Sequence, residues 1–270
     1  MTKTMLVFSD IDGTLLDSKH QVSPEAIQII QDLVKQDTKI ILASARPPGA
    51  MISIADEVQL SSPLVCFNGA LITQYTDGSF DDLYSLTLER PDTVKLYRTI
   101  STKFPEISFN IYSGDRWYVE CEDAWVKQEA VITQMDPETI AMDYFLNEQF
   151  PVHKILCMGN PDDIQKLEDE LEGANLSTIS YYRSKETYME IVNNQVSKLG
   201  ALDFLCEKYG IALENTLAIG DNFNDMPMIE HAGKGIAMGN APDEVKQAAD
   251  YVTDTNDENG FYKALARTLR

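Results

Sequence analysis

The sequence predicts an α/β protein, a doubly wound, Rossmann-like parallel sheet with an inserted α+β cap domain. Three observations carry this reading. Short apolar runs alternate with helical patterns over the first seventy residues and again after residue 197. Two of those runs end in carboxylates and a glycine, Asp10-Ile11-Asp12-Gly13-Thr14 and Gly220-Asp221-Asn222-Phe223-Asn224-Asp225. A stretch of different rhythm, residues 83–190, separates them. Alternating β and α patterns favour parallel strands joined by crossovers. In such sheets the carboxyl ends of the strands converge on one ligand crevice. The two acidic motifs must therefore meet, and the middle segment is an insertion between them.

The elements follow in order. Met5-Leu6-Val7-Phe8 reads as a buried strand running into Asp10. Ser23-Pro24-Glu25 offers a helix cap, a proline at the first helical position and an acid in the first turn. Ile27, Ile30 and Val34 then recur at helical spacing. Lys39 to Ala43 is a second strand, ending at Ser44-Ala45-Arg46, and a helix begins around Pro47-Pro48. Pro63 to Phe67 is a third strand, ending at Asn68-Gly69-Ala70. Asp77-Gly78 marks a turn, after which helices begin near Pro91, Glu122 and Pro161. A hairpin is expected from Ile107 to Glu120 around Ser113-Gly114-Asp115, with further strands at His153 to Met158 and Tyr188 to Val192. The alternation resumes with helix 197–208, strand 216–219, helix 225–231, strand 235–238 and helix 242–249. The expected division is 1–82 with 191–270 for the core and 83–190 for the insert.

Charge narrows the function. The chain carries 43 Asp and Glu against 22 Lys and Arg, a formal net charge of −21. That balance argues against nucleic acid or an anionic membrane as partner. No apolar run reaches membrane-spanning length, and the short N-terminal one is no signal peptide, so a cytoplasmic location is expected. Cys66, Cys121, Cys157 and Cys206 lack metal-ligand spacing and read as buried free thiols of a reducing compartment. His20, His153 and His231 show no catalytic arrangement.

Several carboxylates brought to one crevice repel unless a cation sits among them, and hard oxygen ligands suit Mg²⁺. Calcium is disfavoured by spacing. Counted from Asp10, the sixth and twelfth positions are Leu15 and Gln21, where Gly and Glu are required. Counted from Asp254, they are Asn259 and Leu265. Asp-Gly is also a common turn dipeptide, so neither acidic motif is decisive by itself.

Taken together, Asp10-x-Asp12-Gly13-Thr14, Ser44-Ala45-Arg46, Lys198 and Gly220-Asp221-x-x-Asn224-Asp225 occur in the order of the four motifs of haloacid dehalogenase-like hydrolases. Asn68-Gly69-Ala70 before a large insertion and Ala237-Met238-Gly239-Asn240-Ala241 near the end resemble its Cof-type branch. The resemblance implies a phosphatase acting on small phosphate esters, with sugar phosphates first, through an aspartyl phosphate. It implies Asp10 as nucleophile and Asp12 as the acid that protonates the leaving alkoxide and then activates water. Asp10, the Asp12 carbonyl and Asp221 would hold Mg²⁺, with Asp225 supporting them. Ser44, the Ala45 and Ile11 amides, Asn224 and Lys198 would meet the phosphoryl oxygens.

Arg46 is expected as a phosphate-side cation and Asn68 as a crevice residue. Asp12 is expected to be pressed by acidic neighbours into holding a proton. Lys198, at a helix start, is expected to be dispensable for folding. Two positions depart from the family pattern: Ser44-Ala45 stands where Thr-Gly is frequent, and Leu199 separates Lys198 from Gly200. Neither removes a catalytic group. A hexose phosphomutase is the alternative enzyme, but it needs clustered cap arginines, and Arg98, Arg116 and Arg183 are widely spaced. A phospho-accepting signalling module needs neither a cap nor an acid at position 12.

Overall fold

The computed structural model describes residues 5–268 other than 149 and 175. The chain divides into two compact units, one of Met1–Arg46, Met51–Leu83 and Ser197–Arg270, the other of Pro47–Ala50 and Tyr84–Val196. The border expected at 190 would cut through a strand, Tyr188–Asn193, whose pairing keeps it with the insert. The insert therefore runs on to Val196.

In chain order the first elements are β1 (Leu6–Asp10), α1 (Pro24–Val34), β2 (Lys39–Ala43), α2 (Gly49–Glu57), β3 (Leu64–Cys66), β4 (Leu71–Thr76) and β5 (Ser79–Ser85). The insert adds α3 (Arg90–Lys103), β6 (Ser108–Ser113), β7 (Arg116–Val119), α4 (Ala124–Thr133), β8 (Glu138–Thr139), α5 (Met142–Asn147), β9 (Lys154–Met158), α6 (Pro161–Glu172), β10 (Ile179–Lys185) and β11 (Tyr188–Asn193). The chain ends with α7 (Lys198–Tyr209), β12 (Thr216–Gly220), α8 (Met226–His231), β13 (Lys234–Ala237), α9 (Asp243–Ala248), β14 (Tyr251–Val252) and α10 (Gly260–Thr268).

The first unit is built on a sheet ordered β14-β13-β12-β1-β2-β3-β4-β5. It is parallel from β14 to β3 and turns antiparallel at β3–β4. β1 and β12 are buried along their whole length, as strands covered on both faces must be, which is why they read as unbroken apolar runs. α1 starts where the sequence says it should: the Ser23 hydroxyl accepts from the Ala26 amide, and Ala26, Ile29, Ile30 and Leu33 form its buried face. Register then places the site. Asp10 is level with Ala43 of β2, and Ser9 is level with Ile219 of β12, so three strand ends bring their following loops side by side.

The second unit has a six-stranded sheet ordered β10-β11-β9-β6-β7-β8. Alternate strand residues, among them Ile111, Ile155, Cys157, Met189 and Ile191, share a core with Leu96 and Ile100 of α3, Phe145 of α5 and Leu167 of α6. The intervening residues point to the opposite face. There Lys154 and Glu190 form a buried ion pair at 3.2 Å, and the Tyr188 hydroxyl donates to Glu129 of α4 at 2.8 Å. His153 is buried and accepts from the Gly114 amide, and burial lowers its pKa to about 4, so it stays neutral. Cys66 and Cys157 are buried, but Cys121 is exposed, contrary to the expectation for all four thiols.

Candidate active site

At the end of β1 the chain must turn sharply beneath a neighbouring carboxylate. Gly13 has φ +84°, and a Cβ there would lie 2.5 Å from Asp221 Oδ2, so only glycine fits. The turn is closed by the Thr14, Leu15 and Leu16 amides, all donating to the carbonyl of the buried Ile11. It delivers the Thr14 hydroxyl to Asp221 Oδ1 at 3.0 Å.

Asp10, Asp221 and Asp225 offer carboxylate oxygens within 4.8 Å of one another. Lys198, at the first position of α7 behind its Ser197 cap, lies completely buried between two of them. Its ammonium donates to Asp10 Oδ1 and, at 2.6 Å, to Asp225 Oδ1. This corrects the premise that a lysine at a helix start lies outside the core, because Lys198 is the internal counter-charge of two buried acids. Burial alone would strip its proton, but the two carboxylates more than compensate and hold its pKa above the ordinary lysine value. Asp225 Oδ2 accepts the Asp221 and Asn222 amides, each at 3.0 Å. Both oxygens of Asp225 are thus engaged, which suits a supporting part better than direct metal ligation, although its atoms fall within the cluster.

Asp10 Oδ2 is different. It is buried and has no hydrogen-bond partner. Burial pushes the Asp10 carboxyl well above its usual range; Lys198 opposes this, and Asp225 and Asp221 add to it. Burial, and then Asp225, likewise raise Asp221 to about 6. An orphaned carboxylate oxygen among acids forced upward, with oxygen donors only, fits a hard divalent cation.

The remaining expected residues form pairs beside this cluster. Asp12 stands outside it: its carboxylate faces Arg46 instead of the other acids, with Arg46 Nε donating to Oδ2 at 2.8 Å and Nη2 to Oδ1 at 2.5 Å. The acidic pressure is seen on Asp10 and Asp221, and Arg46, expected on the phosphate side, forks onto Asp12. His20 Nδ1 lies 3.8 Å from the same carboxylate. Ser44 is buried at the end of β2, and its hydroxyl accepts from the Arg46 amide at 3.2 Å, leaving its O–H to donate elsewhere. Ala45 follows it, half-buried, on the same loop. Asn224 Nδ2 donates to Asn68 Oδ1 at 3.1 Å, so both asparagines stand together next to Asp225. Asn68 belongs to a run of left-handed residues, Phe67 (φ +51°), Asn68 (+57°) and Gly69 (+107°). For the two non-glycine residues this costs about 1–2 kcal/mol each.

Sequence reasoning missed Asn240 as a site residue. Its Nδ2 donates to the Gly13 carbonyl at 2.9 Å and reaches Asp221 Oδ2 at 3.4 Å, while its Oδ1 accepts from the Asn256 amide. The signal was present, since Gly239-Asn240 follows β13 at the same edge of the sheet as the acidic motifs.

Comparison with known proteins agrees with this arrangement. The family model described as haloacid dehalogenase-like hydrolase matches residues 7–265. A Haemophilus influenzae protein is 33% identical over 256 residues, 94% of each chain. The 5-amino-6-(5-phospho-D-ribitylamino)uracil phosphatase YcsE of Bacillus subtilis is 30% identical over 262 residues, 96% of this chain and 94% of its own. Among solved structures, a haloacid dehalogenase-like hydrolase from Bacteroides thetaiotaomicron superposes with a TM-score of 0.87 at 31% identity, covering 98% of this chain and all of that one. Likeness of this extent in sequence and fold, over a core that gathers four ordered motifs at adjoining strand ends, makes the protein a phosphatase belonging to the haloacid dehalogenase-like hydrolases.

Proposed function

We propose that the protein is a Mg²⁺-dependent phosphatase of small phosphorylated metabolites, with sugar and polyol phosphates as its substrates, working through an aspartyl phosphate on Asp10. The observation that supports this most is the buried, donor-less Asp10 Oδ2 beside Asp221, with Oδ1 pinned by Lys198. Asp10, Asp221 and the Asp12 main-chain carbonyl would hold Mg²⁺, which when bound neutralises charge on the phosphoryl oxygens.

In this reading Asp10 attacks phosphorus, the ester P–O bond breaks, and Asp12 gives its proton to the departing alkoxide. Water then attacks the phosphoryl group and yields a proton to Asp12. The Asp10–phosphorus bond breaks and inorganic phosphate leaves. Ser44, Asn224 and the Ile11 and Ala45 amides receive the phosphoryl oxygens, and the Lys198 ammonium favours the ionised nucleophile against burial and orients it.

The polyol part of the proposal draws on the YcsE relative, whose name places its phosphate on a ribityl chain. Arginine pairing in the insert speaks against a mutase, which needs a second phosphate site. Three of the insert's four arginines are engaged: Arg116 by Glu138, Arg183 by Glu168 and Gln165, and Arg90 by the carbonyls of Leu146 and Asn147, which leaves Arg98 alone and no arginine cluster among the described residues.

The test is chemical trapping. Asp10→Asn abolishes turnover and forms no covalent species. Asp12→Asn, given an ester with an activated leaving group, accumulates a hydroxylamine-labile phosphoenzyme that mass spectrometry places on Asp10. A phosphoryl group on any other residue, or one formed in Asp10→Asn, overturns the mechanism.

A further inference from the structure

We propose that Arg46 is a positioning residue for Asp12, fixing the carboxylate that handles the leaving-group proton and leaving the phosphoryl group to other residues. This rests on the reading of Asp12 as the acid and base of the reaction. Asp12 lies on the turn after β1, with its side chain about two-fifths exposed at 42%, so nothing in the packing locks its rotamer. Arg46 does so by a two-point fork, Nε to Oδ2 and Nη2 to Oδ1. Two parallel bonds fix both the place and the plane of a carboxylate, which a single point charge cannot do. The fork engages the Nε edge of the guanidinium with Asp12, so two of its five N–H donors are committed to the carboxylate.

The backbone beneath Arg46 is built to hold this fork still. Its amide donates to the Ser44 hydroxyl at 3.2 Å, and its carbonyl accepts the Phe67 amide at 3.1 Å. The Asn68 amide reaches back to the Ser44 carbonyl at 2.9 Å. Those two amides point the right way because Phe67, Asn68 and Gly69 are all left-handed, an unusual conformation for a phenylalanine that is fully buried. The turn is itself fixed, since a Cβ on Gly69 would lie 2.4 Å from the Ser197 carbonyl oxygen. Strain of this kind persists where surrounding structure over-determines it, and here it serves the residue that orients the acid. The Asn68-Gly69-Ala70 loop thereby acts on Asp12 without touching it.

Arg46→Met separates positioning from phosphate binding. Arg46 is 31% exposed, so the variant folds, which circular dichroism checks. The readouts are pre-steady-state release of p-nitrophenol, steady-state turnover of p-nitrophenyl phosphate and of glycerol phosphate, and inhibition by inorganic phosphate. Nitrophenolate leaves without a proton, so its first-turnover burst falls less than about threefold, whereas hydrolysis of the phosphoenzyme and cleavage of the alkyl ester need Asp12 and fall roughly a hundredfold. KM for glycerol phosphate and Ki for inorganic phosphate stay within about threefold, because uniform binding is untouched. A burst that slows as much as the alkyl ester, with Ki weakened about tenfold or more, assigns Arg46 to the phosphoryl group and overturns the proposal. Unchanged turnover of both esters also overturns it, by making the ion pair idle. The wild-type enzyme's own turnover of the two esters tests the phosphatase reading separately.

Discussion

Replacing Lys198 with methionine preserves much of the side chain's length and removes its charge. The ammonium is completely buried and donates to Asp10 and Asp225, themselves buried. In its absence both carboxylates lose a counter-charge in a site where Asp10 Oδ2 already has no donor. Breaking a buried ion pair by removing one partner costs about 3–5 kcal/mol. A slope of about 3 kcal/mol per molar urea turns that into a midpoint shift of roughly 1–1.7 M for the core. The probe must be chosen with care, because Trp117 and Trp125, the only tryptophans, both lie in the inserted unit. Far-ultraviolet circular dichroism, or amide exchange on β1 and β12, reads the core instead. The deficit should be largest in chelator and should narrow in Mg²⁺, since a bound divalent cation neutralises the cluster in place of the lost ammonium. A folded Lys198→Met protein with wild-type core stability in metal-free buffer would refute the reasoning. Turnover should fall with it, by several kcal/mol of transition-state binding.

Further outcomes follow from the same cluster. Activity should require Mg²⁺ and vanish in excess chelator, as phosphate release measures; full turnover with metal content assayed at nil removes the magnesium assignment. The Asp221 carboxyl, raised to about 6 from an ordinary 3.8, binds its proton more tightly when folded than unfolded. Its contribution to metal-free stability is therefore fully present below pH 3.8 and lost as pH rises through about 6, on the order of 3 kcal/mol for a two-unit shift. Denaturant midpoints measured without metal between pH 4 and 8 should trace that loss, and Mg²⁺ should flatten it. Gly13→Ala puts a methyl group against Asp221 at a left-handed position, so turnover and the thermal shift produced by Mg²⁺ should both collapse; an active variant with a normal shift shows that the turn can move aside.

The parallel core and the place of its strand ends were legible because buried strands write unbroken apolar runs and their ends write Asp, Ser and Gly. Asp10, Asp221 and Ser44 could be placed at strand ends from this alone, whereas Lys198 was singled out only by the order of the four family motifs. Elements at the margins left a weaker imprint. The β4–β5 hairpin announces only its Asp77-Gly78 turn, since β5 is mostly polar and half-exposed. β10 alternates exposed Tyr and Ser with little apolar content, and α5 has six residues, too few for a period to show. Within the site, burial of Lys198 was illegible, because its spacing is that of any helix start and only the tertiary fold shows two acids closing over it. The fork between Arg46 and Asp12 spans two loops 34 residues apart, and no local pattern encodes which cation a carboxylate will choose.

The strand order has a consequence for the nascent chain. β1 is among the first elements made, yet its neighbour β12 lies beyond the entire inserted unit, at Thr216–Gly220. Until those residues leave the ribosome, one edge of β1 has no partner, and Asp10 has neither Lys198 nor Asp221 beside it. The insert's own sheet, β6 to β11, pairs only among its own strands in the described residues and can close while the core waits. The earliest residues of the active site are thus the last to be enclosed, and a ribosome that stalls before residue 220 displays an acidic, half-paired sheet with nothing to bind.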